Sequence, residues 1–106
     1  MIRVVIEHQA KDAKSAVLLI ESIRELRNEA MKQPGYLTGE TLVNTEDNCN
    51  VLVISTWRSV KDWSIWDKSK LRTNLTQVVH PLLSEPFTVR TYRYHLVKDR
   101  RVWSTQ

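Results

Sequence analysis

Cysteine is almost absent from this 106-residue chain: Cys49 stands alone, so no internal disulfide can form and a reducing, cytoplasmic setting is expected. Long apolar runs are missing as well. Ala16 to Ile20 spans five residues, against the roughly 20 needed to cross a bilayer, and no membrane partner is predicted. The opening Met1-Ile2-Arg3-Val4-Val5-Ile6-Glu7 enters a strand pattern at once, without the charged, apolar and small-residue order of a secretion signal. Repeats, low-complexity segments and linkers are lacking too. The reading is therefore one domain over residues 1–96, followed by a short tail over 97–106. His8, His80, His95 and Cys49 show no metal-ligand spacing, so no metal is expected. With no His or basic residue close by in sequence, Cys49 reads as an inert loop thiol rather than a nucleophile.

What is present is ordinary for a soluble globular domain. Hydrophobic residues make up 42% and charged residues 26%, enough for a single core that buries roughly two thirds of the unfolded surface. The net charge is +4, and Arg90, Arg93, Lys98, Arg100 and Arg101 gather late against Asp99 alone. Such a segment could meet an anion or nucleic acid, but the plainer reading is a solvated strand edge and tail.

Periodicity divides the chain into alternating elements. Ile2 to Gln9 is rich in β-branched residues and reads as a strand. Asp12 or Ser15 can cap a helix over Ala13 to Lys32, whose Ala16, Leu19, Ile20, Ile23, Leu26 and Ala30 form one apolar stripe. Pro34 and Gly35 stop it. A second strand covers Tyr36 to Val43, with Gly39 marking a bulge or a close backbone approach. A polar turn over 44–50 leads to a third strand, Val51 to Trp57. Ser59 can cap a helix through Trp66, a further helical segment runs to about Val79, and His80-Pro81 ends it. Pro86 to Leu96 is the fourth strand.

The order β-α-β-β-α-β predicts an α+β, ferredoxin-like domain: a four-stranded antiparallel sheet with helices on one face. RNA-recognition domains share this order but stack bases on an aromatic third strand. Val51-Leu52-Val53-Ile54-Ser55-Thr56-Trp57 offers no such platform, so no nucleic-acid partner is expected. Both Ile2-Arg3-Val4-Val5-Ile6 and Val51-Leu52-Val53-Ile54 place apolar side chains on both sides of the sheet. One-sided helix cover leaves the second side open, and a second copy of the chain is the simplest lid. A homodimer packed sheet to sheet is predicted.

The densest chemical signal lies in Thr56-Trp57-Arg58-Ser59-Val60-Lys61-Asp62-Trp63-Ser64-Ile65-Trp66-Asp67-Lys68-Ser69. Trp63 and Trp66, three residues apart on a helix, are neighbours where the sheet meets the helix. They either fill the core or wall an aromatic pocket, Trp66 being the stronger pocket residue. His8 could act as a base near neutral pH. On a strand it points opposite to Glu7, so only one of the two can face the helices. His80, at a helix end, is a further pocket candidate.

Taken with Pro34-Gly35-Tyr36 after the long helix, Trp57 closing the third strand, and Trp63, Trp66 and Ser69, this topology resembles the antibiotic-biosynthesis-monooxygenase-like family of dimeric α+β barrels over residues 2–95. The resemblance implies a monooxygenase without metal or flavin, acting on a phenolic or quinol-type small aromatic ligand. Trp66 and either Glu7 or His8 would be catalytic, and Trp63, Trp66 and His80 would line the substrate pocket. It also implies an alternative, a non-catalytic ligand-binding or stress-associated dimer. A haem-degrading branch uses an Asn on the first strand, a Trp and a His. Trp66 matches the Trp, but Glu7 or His8 stands for the Asn and Thr76 for the His, with His80 four residues further on.

Overall fold

The computed structural model of the chain describes residues 1–95. The elements follow in the order β1 (Ile2–Gln9), α1 (Ala13–Ala30), β2 (Tyr36–Asn44), β3 (Asp47–Trp57), α2 (Val60–Asp67), α3 (Lys70–Gln77), a 3₁₀ turn (His80–Leu82) and β4 (Thr88–Arg93). The four strands form one antiparallel sheet in the order β2-β3-β1-β4. The α+β, ferredoxin-like arrangement is thus as the sequence predicts. No helix among the described residues is long and apolar enough to cross a membrane.

Local chemistry explains the boundaries. Ser15 donates its backbone N–H to Asp12 Oδ1 at 2.7 Å, which caps α1. The helix presents Ala16, Leu19, Ile23 and Ala30 to the sheet. Gly35, at φ 87°, then turns the chain with a left-handed residue, and its carbonyl accepts from Arg58 N–H at 2.7 Å. Ser59 and Ser69 cap α2 and α3 by accepting from the N–H groups of Asp62 and Arg72.

Two expectations are adjusted. The polar turn shrinks to Thr45-Glu46, because Asn44 pairs with Asp47 and the strands run on through polar residues. Asn44 Oδ1 accepts from Glu46 N–H and Asp47 Oδ1 from Cys49 N–H, so side chains fold the hairpin tip where apolar contacts are lacking. Cys49 is accordingly a half-buried strand residue, not a loop one. The fourth strand is shorter than expected; Leu96 and the tail over 97–106 lie outside the described residues.

Pairing in register gives each face its residues. Toward the helices point Ile2, Val4, Ile6 and His8 of β1, opposite Trp57, Ser55, Val53 and Val51 of β3. One buried cluster joins Ile2, Val4, Ile6, Trp57, Trp63 and Trp66, and a second joins Ala10, Ala16, Leu19, Ile23, Val51 and Val79. Leu26, Val53 and Phe87 touch both clusters and make them one core. The opposite face carries Val5, Leu52 and Ile54, each half-buried, and the more exposed Leu42 and Tyr92.

The turn supplies a first test. A Cβ at Gly35 would collide with the Asp62 side chain, and its φ disfavours any L-residue. Gly35→Ala is expected to lower the unfolding free energy by about 1–3 kcal/mol in urea denaturation; an unchanged midpoint and slope would refute the turn geometry.

Candidate functional site

A cleft opens between the helix-covered face of the sheet and the three helices. Together with the open solvent at its mouth, the space amounts to about 590 Å³. Ile6, Val53 and Trp57 contribute the sheet side, Trp63 and Trp66 the α2 wall, and Phe87 a further apolar contact. Several polar side chains share this lining: His8, Ser55, Arg72 and Thr76, with Arg27 and Tyr36 from α1 and β2.

The tryptophans are positioned by one another. Trp57 is fully buried, and its ring lies edge-on to Tyr36 at 5.3 Å and to Trp63 at 5.7 Å between centroids. Its indole N–H donates to Ser55 Oγ at 3.0 Å, so the one polar atom of the ring is satisfied. Helical spacing then brings Trp66 beside Trp63, and both are core and cleft wall at once. Gly39 is a close-approach glycine: the Tyr36 hydroxyl occupies the space a Cβ would take.

Of the two adjacent polar residues on β1, His8 is the one that faces the helices. It is 4% exposed and lines the cleft. Glu7, expected as an alternative catalytic group, sits on the other face, where strand alternation puts it; there Asn50 Nδ2 donates to its carboxylate. His8 Nδ1 lies 3.2 Å from the Val51 carbonyl oxygen, a contact that requires the proton on Nδ1. Nε2 is then the basic nitrogen, and the one side-chain hydrogen bond of His8 among the described residues is the Nδ1 contact. Burial pushes the imidazole pKa below its ordinary 6.5, and the nearby Arg72 charge pushes the same way, against the opposing effect of the Val51 contact. His8 is therefore neutral at physiological pH.

His80 does not reach the cleft. Pro81 draws it into the 3₁₀ turn, where it is exposed, and it touches the site only through Phe87, on which it stacks at 5.4 Å and 7°. Phe87 in turn lies 5.5 Å from the His8 ring. Sequence reading missed Phe87, and it missed Arg72. Arg72 is 6% exposed, holds its guanidinium 5.1 Å over the Trp63 ring, and donates from Nε to Asp67 Oδ1 at 3.1 Å. Burial lowers its pKa, an effect that the Asp67 carboxylate opposes. The signal was available: Arg72, Thr76 and Val79 fall on one stripe of α3 and beyond it, where apolar residues belong.

No group of three metal-ligating side chains occurs among the described residues. Chemically, the cleft pairs aromatic and apolar walls with one neutral imidazole and two guanidinium groups, Arg27 and Arg72.

Residues 1–78 match the antibiotic biosynthesis monooxygenase family. The chain belongs to that family. Solved structures share its fold. An antibiotic biosynthesis monooxygenase superposes with a TM-score of 0.80 at 17% identity, over 91% of this chain and 100% of that one. A conserved protein from Methanosarcina mazei Go1 gives 0.81 at 16% identity, over 89% and 92%. A variant of SnoaB, a cofactor-independent oxygenase from Streptomyces nogalater, gives 0.80 at 9% identity, over 92% and 95%. No curated protein matches this member of the antibiotic biosynthesis monooxygenase family.

The lowered pKa of His8 couples stability to pH. Below about 6.5 the unfolded chain takes up a proton that the folded chain resists, so folding weakens as pH falls from 6.5 toward the lower folded-state pKa. Urea unfolding between pH 7.5 and 5 is expected to show a steeper loss for the native chain than for His8→Gln, and parallel pH curves would reject the neutral buried imidazole.

Proposed function

We propose that the chain is a cofactor-independent oxygenase of phenolic or quinol-type aromatic substrates, with His8 as general base and Trp63 and Trp66 flanking the ring. The observation that carries this reading is a buried, neutral imidazole that lines an aromatic-walled cleft while its Nδ1 is held by the Val51 carbonyl. Family membership supports it, as does the reaction class of SnoaB. Nothing favours haem degradation, since Glu7 faces away and His80 lies off the cleft.

The mechanism follows from oxygen's electronic structure. Ground-state O₂ is a triplet and reacts slowly with closed-shell molecules, but an electron-rich phenolate can pass it one electron. His8 Nε2 takes the phenolic proton: the imidazole starts uncharged and so is free to accept it, and the phenolate left beside it offsets the cost that burial puts on the imidazolium. Phenolate and O₂ then form a phenoxyl–superoxide pair, whose recombination makes a ring C–O bond. Loss of the hydrogen from that carbon, with cleavage of the O–O bond, leaves a quinone and hydroxide. The His8 imidazolium returns its proton to the hydroxide. In sum, phenol and O₂ give quinone and water, with no outside reductant. The apolar walls keep bulk water from the radical pair.

Oxygen uptake on a panel of phenols and hydroquinones tests this. His8→Gln is expected to lower kcat by about 10²-fold or more, and Trp66→Phe to raise KM with a smaller effect on kcat. A panel turned over equally well by both variants and the native chain would remove these residues from the reaction.

The same reading includes a homodimer, sheet against sheet through Val5, Leu42, Leu52 and Ile54. Those side chains make an apolar centre, with Arg3, Glu40, Glu7 and Arg90 around it. Such a face resembles the apolar core and polar rim of a stable interface. Sedimentation at micromolar concentration is expected to give a dimer for the native chain and a monomer for Ile54→Glu; a native monomer would overturn the proposal.

A further inference from the structure

Arg72 is the least explained group in the cleft. Its side chain is 7% exposed, yet among the described residues only Nε of its five N–H donors has a partner, the Asp67 carboxylate. Asp67 itself is 41% exposed and shares its charge with solvent, so it compensates the buried cation only in part. The guanidinium cannot swing out to water without leaving the Trp63 face that holds it. Arg72 and His8 line the same cleft. The terminal nitrogens of Arg72 have no hydrogen-bond partner among the described residues, and an oxyanion arriving in the cleft would give this largely buried cation a charged one.

We propose that Arg72 is the oxyanion-receiving group of the cleft, pairing with the ionised hydroxyl of a bound phenol and so selecting ligands by the acidity of that hydroxyl. The inference rests on the oxygenase reading for the choice of a phenol over other anions. A ligand that arrives already ionised has no need of a base, and a neutral base stands in the same cleft. The division of labour is then direct: His8 Nε2 receives the proton, and Arg72 holds the charge left behind. Arg72 acts as a binding residue here, touching the substrate oxygen.

Ionisable and charged groups face this site from each side. Arg27 and Tyr36 come from α1 and β2, His8 from β1, and Asp67 from the end of α2. Arg27 is engaged by the Thr41 hydroxyl, and Asp67 is already paired with Nε. Tyr36 is held above its ordinary pKa by burial and stays neutral. Both arginines keep spare donors, and Arg72 is the one whose charge acts on His8.

The test uses 4-nitrophenol, whose yellow phenolate band reports its ionisation and whose electron-poor ring resists oxidation, together with its non-ionisable methyl ether, 4-nitroanisole. Bound to the native protein, 4-nitrophenol is expected to ionise at a pH lower by about one unit, a tenfold preference for phenolate, and to bind at least tenfold more tightly than the ether. Arg72→Met, which keeps the side-chain bulk over Trp63, is expected to abolish both effects, while Arg72→Lys retains part of the preference. Tryptophan fluorescence follows binding, and far-ultraviolet circular dichroism checks that each variant folds. Should Arg72→Met not fold, the native comparison of phenol with ether still decides. Equal binding of phenol and ether, binding of neither probe, or a phenolate preference that survives in folded Arg72→Met would overturn the proposal. Phenolate selection without oxygen uptake on any quinol would instead remove the oxygenase reading and leave the anion site standing.

Discussion

The ring of Trp57 holds the site together. It sits at the end of β3, pairs with Ile2 across the sheet, and has no solvent contact. Burying an indole is worth several kcal/mol from area alone, and here it also fixes direction. Tyr36 closes one edge and Trp63 another, so the start of β2 and the first turn of α2 are referred to the same ring. Trp63 then carries Arg72 on its outer face, across the break between α2 and α3. Sheet, helix and cation form one stack. The Gly35 turn serves the same end, since its carbonyl takes the Arg58 N–H directly after Trp57, and its lack of a Cβ admits Asp62. Without the stack, α2 could still form from its Ser59 cap, but nothing would set where Trp66 and Arg72 stand relative to β1.

Much of this arrangement was legible in the residues. Strand and helix order came from periodicity and from Pro34, Gly35 and Pro81, whose constraints on backbone angles are local. Trp63 and Trp66 declared themselves by spacing alone. Three features did not. The hairpin tip over 44–50 looked like a loop because its polar residues lack a strand pattern, yet Asn44 and Asp47 hold it through backbone contacts that composition does not reveal. The choice between Glu7 and His8 stayed open because β1 carries apolar residues on both faces. Only the register, with Ile2, Val4 and Ile6 toward the helices, decides for His8. Arg72 was passed over because a charge near Asp67 on a short helix reads as a solvated pair. Its inward position is paid for by long-range contacts with Trp63, which no local pattern reports.

The choice of arginine at position 72 fits the electrostatics of the cleft better than lysine would. A lysine placed there would lose its proton readily, since burial disfavours the charged form and an ammonium is strongly hydrated. A guanidinium keeps its charge, spreads it over a plane, and can lie flat on an indole face while an edge remains free. That persistent charge also acts on His8. It lowers the imidazole pKa further than burial alone, so His8 is uncharged at physiological pH. Once the proton has moved, the two cations repel each other, and an anion between them relieves the repulsion. The charge that adds to the effect of burial on His8 would, on the proposed reading, favour the ion pair only when an ionised ligand is present. Charge separation is confined to the occupied state, which is where a base in an apolar cleft has work to do.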